Sequence, residues 1–112
     1  MNKRFAVPTI DGTLCTHFGH CQKFAIIEAD DSKVISEEII DPPAHQPGVY
    51  PQFLAQLGVN VVLSGGMGQK ALQLFAQNNI EVYTGVNAES PTKLVENFLS
   101  DQLQAGANRC DH

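Results

Sequence analysis

The sequence predicts an α/β domain built on a mixed five-stranded sheet with helices on both faces. Three observations predict it. Apolar runs such as Phe24-Ala25-Ile26-Ile27 and Val61-Val62-Leu63 are continuous, as in strands covered on both sides. A Pro-rich break, DPPAHQPG at 41–48, separates a run of strands from a half in which strands alternate with helical patterns. A hydrophobic content of 43% in 112 residues supplies a modest core for one domain.

Each element has its own justification. KRFAVPT (3–9) reads as the first strand, and Asp11-Gly12 as a turn leading into a loop, CTHFGHC (15–21). KFAIIEA from Lys23 is the second strand. Asp30-Asp31-Ser32 turns the chain into a third, Val34 to Ile40, whose Glu37 and Glu38 set it near a sheet edge. After the Pro-rich break, Tyr50, Phe53, Leu54 and Leu57 recur at helical spacing, and Gly58 stops that helix. NVVLS (60–64) is a buried strand. GGMG (65–68) opens a helix with Ala71, Leu72 and Phe75 on one face, and IEVYT (80–84) is the next strand. Ser90 is an N-cap with Pro91 at the first helical position, and Leu94, Val95, Phe98, Leu99 and Leu103 mark the last helix. The first three strands are expected as an antiparallel meander and the later ones as parallel strands with helical crossovers. The order ββ-β-α-β-α-β-α is similar to that of ribonuclease-H-like folds. Residues 1–105 are expected as a single domain and 106–112 as a flexible tail.

Charge and motif content exclude several functions. A net charge of −5 argues against duplex nucleic acid, whose affinity rests on Lys and Arg contacts to phosphate, and against an anionic membrane surface. The basic start MNKRFAVPT is interrupted by Pro8 and Asp11 before any apolar signal region, and no run approaches a membrane span, so a cytoplasmic protein is expected. Nuclease chemistry needs carboxylates converging on metal ions, and the first strand, the first helix and NVVLS hold none. No G-x-S-x-G elbow occurs, Ser64 has no base that can be named for it, and no Gly-Lys-Ser/Thr completes a P-loop.

The chemistry gathers in two places. Cys15, His17, His20 and Cys21 share one loop, and Cys110 and His112 share the tail, so all 3 cysteines and all but one of the 4 histidines cluster. Thiolate and imidazole suit zinc, copper(I) and iron–sulfur species. Four tetrahedral ligands from seven adjacent residues would strain the backbone, so CTHFGHC is read as half a site completed by the tail, another loop or a second subunit. Gly19 lets a bulky ligand approach the backbone. Cys21 beside its strand also fits a core position, and His45 alone in the Pro-rich loop fits a solvent-exposed residue. The second place is Gly65-Gly66-Met67-Gly68 between a strand and a helix. Its amides can form an anion-binding nest, and the tight turn by itself also calls for glycine. Gly66-x-Gly68-x-x-Ala71 fits the dinucleotide fingerprint, but the acidic residue expected after the next strand is missing. Met67 at the turn is read as a pocket wall or a soft ligand.

Asp11-Gly12, His17-Phe18-Gly19, the strand at Phe24, Gly65-Gly66-Met67-Gly68, Val82-Tyr83-Thr84-Gly85 and the tail together resemble the dinitrogenase iron–molybdenum cofactor biosynthesis family, from about Phe5 to Leu103. The resemblance implies a ribonuclease-H-like domain without nuclease chemistry. It also implies a role in binding an iron–molybdenum cofactor, or its iron–sulfur precursor, and carrying it between assembly proteins. Its H-F-G histidine corresponds to His17.

The resulting expectation is a non-catalytic metallocluster carrier. Cys15, His17, His20, Cys21, Cys110 and His112 would be metal ligands, and His17, Gly19, Gly65, Gly66, Met67 and Gly68 would contact the cofactor. The cargo would be an iron–sulfur or iron–molybdenum cluster, with zinc or another transition metal also fitting the donors. Cofactor-assembly or acceptor proteins would be partners, with room for an oligomer. The alternatives are a small-molecule or nucleotide-sensing module using the Gly65–Gly68 turn, and a redox-sensing Cys15/Cys21 pair.

Overall fold

The computed structural model describes residues 3–14, 22–30, 32–41 and 49–100. In chain order the elements are β1 (Lys3–Ile10), β2 (Thr13–Leu14), β3 (Lys23–Ala29), β4 (Val34–Ile40), α1 (Val49–Gln56), β5 (Val61–Leu63), α2 (Gln69–Gln77), β6 (Glu81–Tyr83) and α3 (Pro91–Leu99). The sheet runs β4-β3-β1-β5-β6, with β2 hydrogen-bonded to β1 off this path. β1, β3 and β4 form the expected antiparallel meander, and β5 and β6 continue the sheet in parallel with β1.

Among the described residues the sheet has six strands, not five. Asp11 and Gly12 both take positive φ, 53° and 84°, as a two-residue hairpin turn requires, and the chain folds back to pair Ile10 with Thr13 and Thr9 with Leu14. The return strand is only 2 residues long, too short to show an alternation in sequence, so only its turn was legible.

Side-chain alternation sorts the core into two halves. Phe5, Val7, Ala25, Ile27, Val61 and Leu63 point to the face covered by Leu94 and Val95 of α3. Ala6, Phe24 and Val62 point to the other face, where Tyr50 and Leu54 of α1 and Phe75 of α2 cover them. Phe98 closes the first layer with edge-on contacts to Phe5 and Tyr83, at centroid distances of 5.1 and 5.2 Å. Phe24 meets Tyr50 in the same way at 5.2 Å in the second.

Both strand-feeding helices end by the same device. Gly58, at φ 78°, lets the Val59 N–H reach back to the Leu54 carbonyl at 3.1 Å, and Asn79, at φ 61°, lets the Ile80 N–H reach Phe75 at 3.0 Å. Val59 and Ile80 then enter the core and deliver β5 and β6 in register. Asn60 and Arg4 lock β5 beside β1: the Asn60 N–H donates to the Arg4 carbonyl at 2.8 Å, and the Arg4 N–H donates to Asn60 Oδ1 at 2.9 Å.

The β3–β4 turn depends on Asp30, whose Oδ1 accepts the N–H groups of Ser32 and Lys33, each at 2.8 Å. These backbone donors, Ser32 foremost, hold the carboxyl below its ordinary value of 3.8. A folded-state value below the unfolded one stabilises the protein above the unfolded value, and that contribution is lost as pH falls through the folded value. Thermal melts below about pH 4 should therefore show a steeper loss of Tm in the wild type than in Asp30→Asn. In the core, Phe75 is the buried residue of α2. Phe75→Ala should cost about 3–5 kcal/mol in urea unfolding, while the exposed Gln73→Ala should change stability by less than about 0.5 kcal/mol.

Candidate functional site

Because β1, β5 and β6 are parallel, their C-terminal ends lie at one end of the sheet. The antiparallel register brings the start of β3 and the end of β4 to the same end, with Thr9 opposite Lys23 and Phe24 opposite Ile40. The ladder between β1 and β5 pairs Phe5 with Val61 and Ala6 with Val62. Pro8 follows at the next same-facing position and has no N–H to extend it. The chain also reverses direction across the sheet here, since β1 continues into β3 on one side and takes β5 on the other. In open α/β sheets, ligands bind at such a point, outside the carboxyl ends of the strands.

The segment carrying the Cys/His loop leaves and returns at this end. Leu14 before it is 1% exposed, packs in the core, and donates its N–H to the Glu89 carbonyl at 3.0 Å. Gln22 after it donates its N–H to the Thr9 carbonyl at 2.7 Å and accepts the Asp11 N–H on Oε1 at 3.1 Å. Cys15, His17, Gly19, His20 and Cys21 lie outside the described residues, as do His45, Cys110 and His112. Among the described residues no group of three or more His, Cys, Asp or Glu side chains could hold a metal.

The glycine turn stands at the same end. The loops after β5 and β6 are zipped together: the Ser64 N–H donates to Tyr83, Gly85 to Gly65, and Val86 to Ser64, at 2.9, 3.0 and 3.2 Å. Gly85, at φ 71°, takes the left-handed conformation that closes this zipper. Ser64, fully buried, donates its hydroxyl to the Gly66 carbonyl at 2.9 Å. The hydroxyl therefore braces the turn. Thr9, 3% exposed, does the same for β3 by donating to the Lys23 carbonyl at 3.1 Å.

The four turn residues divide. Gly65 and Gly66 are buried. Met67 is 1% exposed and its side chain packs in the core half that holds Phe24, Tyr50 and Phe75, so it is a core contact rather than the wall of an open pocket. Gly68 is exposed and is the N-cap of α2, with φ −67° and ψ 157°. Neither strain nor crowding requires glycine there, since a Cβ would meet nothing within 4 Å. Gly68 makes no side-chain cap, and the first turn of α2 holds no acidic residue but does hold the exposed Lys70. The positive end of the helix dipole is thus left uncompensated by α2 itself and has a cation beside it, a combination that favours an anion. Lys23 and Asp41 pair across the neighbouring strands at this end.

The sequence carries no signal for Thr9 as a buried brace, because a lone threonine in a strand reads as ordinary β-propensity. The Leu14–Glu89 link joins residues far apart in sequence and carries no local pattern.

Together these features define a small α/β domain that gathers its glycine turns, with Leu14 and Gln22, at one end of a mixed sheet. The chain belongs to the family described as dinitrogenase iron-molybdenum cofactor, which it matches over residues 1–101. An uncharacterized protein of Methanocaldococcus jannaschii, MJ0580, is 32% identical over 106 residues, covering 90% of this chain and 89% of that one. The crystal structure of PH0822 is similar at 27% identity with a TM-score of 0.84, covering 91% of this chain and 93% of that one. The apo form of the orange protein from Desulfovibrio gigas is similar at 27% identity and a TM-score of 0.77, covering 95% and 94%.

The uncapped N-terminus of α2 yields a direct expectation. Gly68→Ser supplies a hydroxyl for the first-turn amides without strain. It should raise stability by a few tenths of a kcal/mol, and at most about 1 kcal/mol, measured as a shift in the urea midpoint at constant slope.

Proposed function

We propose that the chain is a non-catalytic carrier that binds an iron–sulfur or iron–molybdenum type cluster and passes it to cofactor-assembly or acceptor proteins in the cytoplasm. One observation carries this reading beyond family membership. Both ends of the Cys/His segment are pinned at the carboxyl end of the parallel strands, where the exposed, uncapped N-terminus of α2 also begins.

The donors divide the work by their chemistry. Cys15 and Cys21 would offer thiolates and His17 and His20 imidazole nitrogens, a set suited to soft metals and sulfide-bridged clusters. Gly19 would give the bulky cargo access to the backbone. The amides that open α2, behind Gly68, would donate hydrogen bonds to cluster sulfides or to an anionic group on the cargo, with Lys70 adding attraction. Cys110 and His112 would complete the ligand set. α3 ends near the start of β1, where Lys3 Nζ sits 5.9 Å over the Phe98 ring, at the opposite end of the sheet. Residues 101–110 reach roughly 33 Å when extended and β1 is roughly 25 Å long, so the tail is long enough to return within one chain.

Thiolate ligands must lose their protons to bind, so affinity should fall as pH drops below the thiol range. The test is anaerobic reconstitution, with iron and sulfide in one arm and with molybdate added in another, followed by metal and acid-labile sulfide analysis. Charge-transfer absorbance should develop and be lost in the Cys15→Ala/Cys21→Ala variant and reduced in His17→Ala. Gly68→Asp should weaken loading while keeping the protein folded, because its carboxylate would occupy the end of α2. Loading that is unchanged in the double cysteine variant sinks this assignment of the ligands.

A further inference from the structure

β4 is an edge strand of unusual character. It is 7 residues long and pairs only with β3 among the described residues, whereas β6 at the other edge has 3 residues. Ile35 and Ile39 are each 52% exposed, the largest exposures among the apolar residues of the sheet. A register shift opposite Glu28 and Ala29 leaves Ile35 without a partner on β3. Between the two isoleucines lie Ser36, Glu37 and Glu38, with the two carboxylates on opposite faces of the strand.

A cavity of about 150 Å³ opens beside this edge. Ile26, Ile40 and Leu57 give it an apolar lining, and Arg4, Glu28 and Glu38 give it charge. Arg4 is already engaged: one guanidinium nitrogen donates to the Leu57 carbonyl and the other lies 2.9 Å from Glu28 Oε1. Glu38 is left as the surplus negative charge of the cavity. Its apolar lining and acidic rim fit a lysine or arginine, whose methylene stem packs on isoleucine while its head stays at the carboxylate.

A second copy of the chain is a poor occupant. Antiparallel pairing of β4 with itself at full overlap sets Glu37 directly against Glu37, and like charges opposite one another destabilise a strand pair. The complementary sequence is extended, basic at its centre and apolar on either side. We propose that β4 is a docking edge for such a segment of a partner protein, which adds to the sheet as a further strand and sets a basic side chain into the cavity beside Glu38. Main-chain hydrogen bonds would supply affinity, and the cavity and the two isoleucines would supply selectivity. The proposal does not depend on what the chain carries.

The probe is the peptide acetyl-Thr-Val-Lys-Lys-Thr-Val-Thr-amide, titrated into the isotopically labelled full chain and followed by amide chemical shifts and hydrogen exchange. Shifts and new protection should concentrate at residues 34–40, and affinity should fall on raising salt to about 0.5 M. Glu38→Lys, on an exposed position, should weaken the peptide roughly tenfold and improve binding of the counterpart with Glu-Glu in place of Lys-Lys, a reversal that loss of folding cannot imitate. Equal binding of the two peptides to the wild type, absence of binding, or perturbation away from β4 overturns the proposal. A concentration-dependent dimer that protects the same amides also overturns it, by assigning the edge to a second copy.

Discussion

The structure depends on β1 being buried on both faces while paired to neighbours of opposite sense. Phe5, Ala6 and Val7 are each fully buried, and they face alternately toward α3 and toward α1 and α2. A strand in this position cannot slip by one residue without exchanging its two core halves. The reciprocal hydrogen bonds between Arg4 and Asn60 lock its parallel neighbour, and seven paired positions lock its antiparallel neighbour. Because the register is held, the carboxyl ends of β1, β5 and β6 and the start of β3 coincide at the end of the domain that carries the candidate site.

Among the described residues, the buried polar groups at that end are all partnered. Among the described residues Ser64 and Thr9 are the buried polar side chains, both hydroxyls donate to carbonyls, and no buried side-chain nitrogen or oxygen lacks a partner. The interior of the turn is therefore committed to structure, and Met67 is committed to the core. Among the described residues, what remains exposed at this end is Gly68 with Gln69 and Lys70 in the first turn of α2. Gly68 and Lys70 are exposed there, so substitutions at these two positions leave the core packing in place.

Much of the fold was legible in the sequence. The apolar runs at 24–27 and 61–63 marked strands covered on both faces, Gly58 marked a helix end, and Glu37 and Glu38 marked an edge. The second strand was missed because two residues carry no periodicity, although the Asp-Gly turn that produces it was visible. The glycine turn was recognised, but its division into buried and open halves was not, since Gly65 and Gly68 look alike in sequence and differ only in what packs around them.

The sequence by itself determined the order of elements, the pairing of apolar runs with helical patterns, and the soft-ligand character of the Cys/His segment. These follow from side-chain chemistry and period, which are local properties. Tertiary structure alone decided that the ends of that segment and the opening of α2 share one end of the sheet, that Met67 faces the core, and that Glu38 borders a cavity. Those facts depend on strand order and on contacts between residues distant in sequence, such as Leu14 with Glu89 and Arg4 with Leu57, for which a single chain of letters contains no local signal.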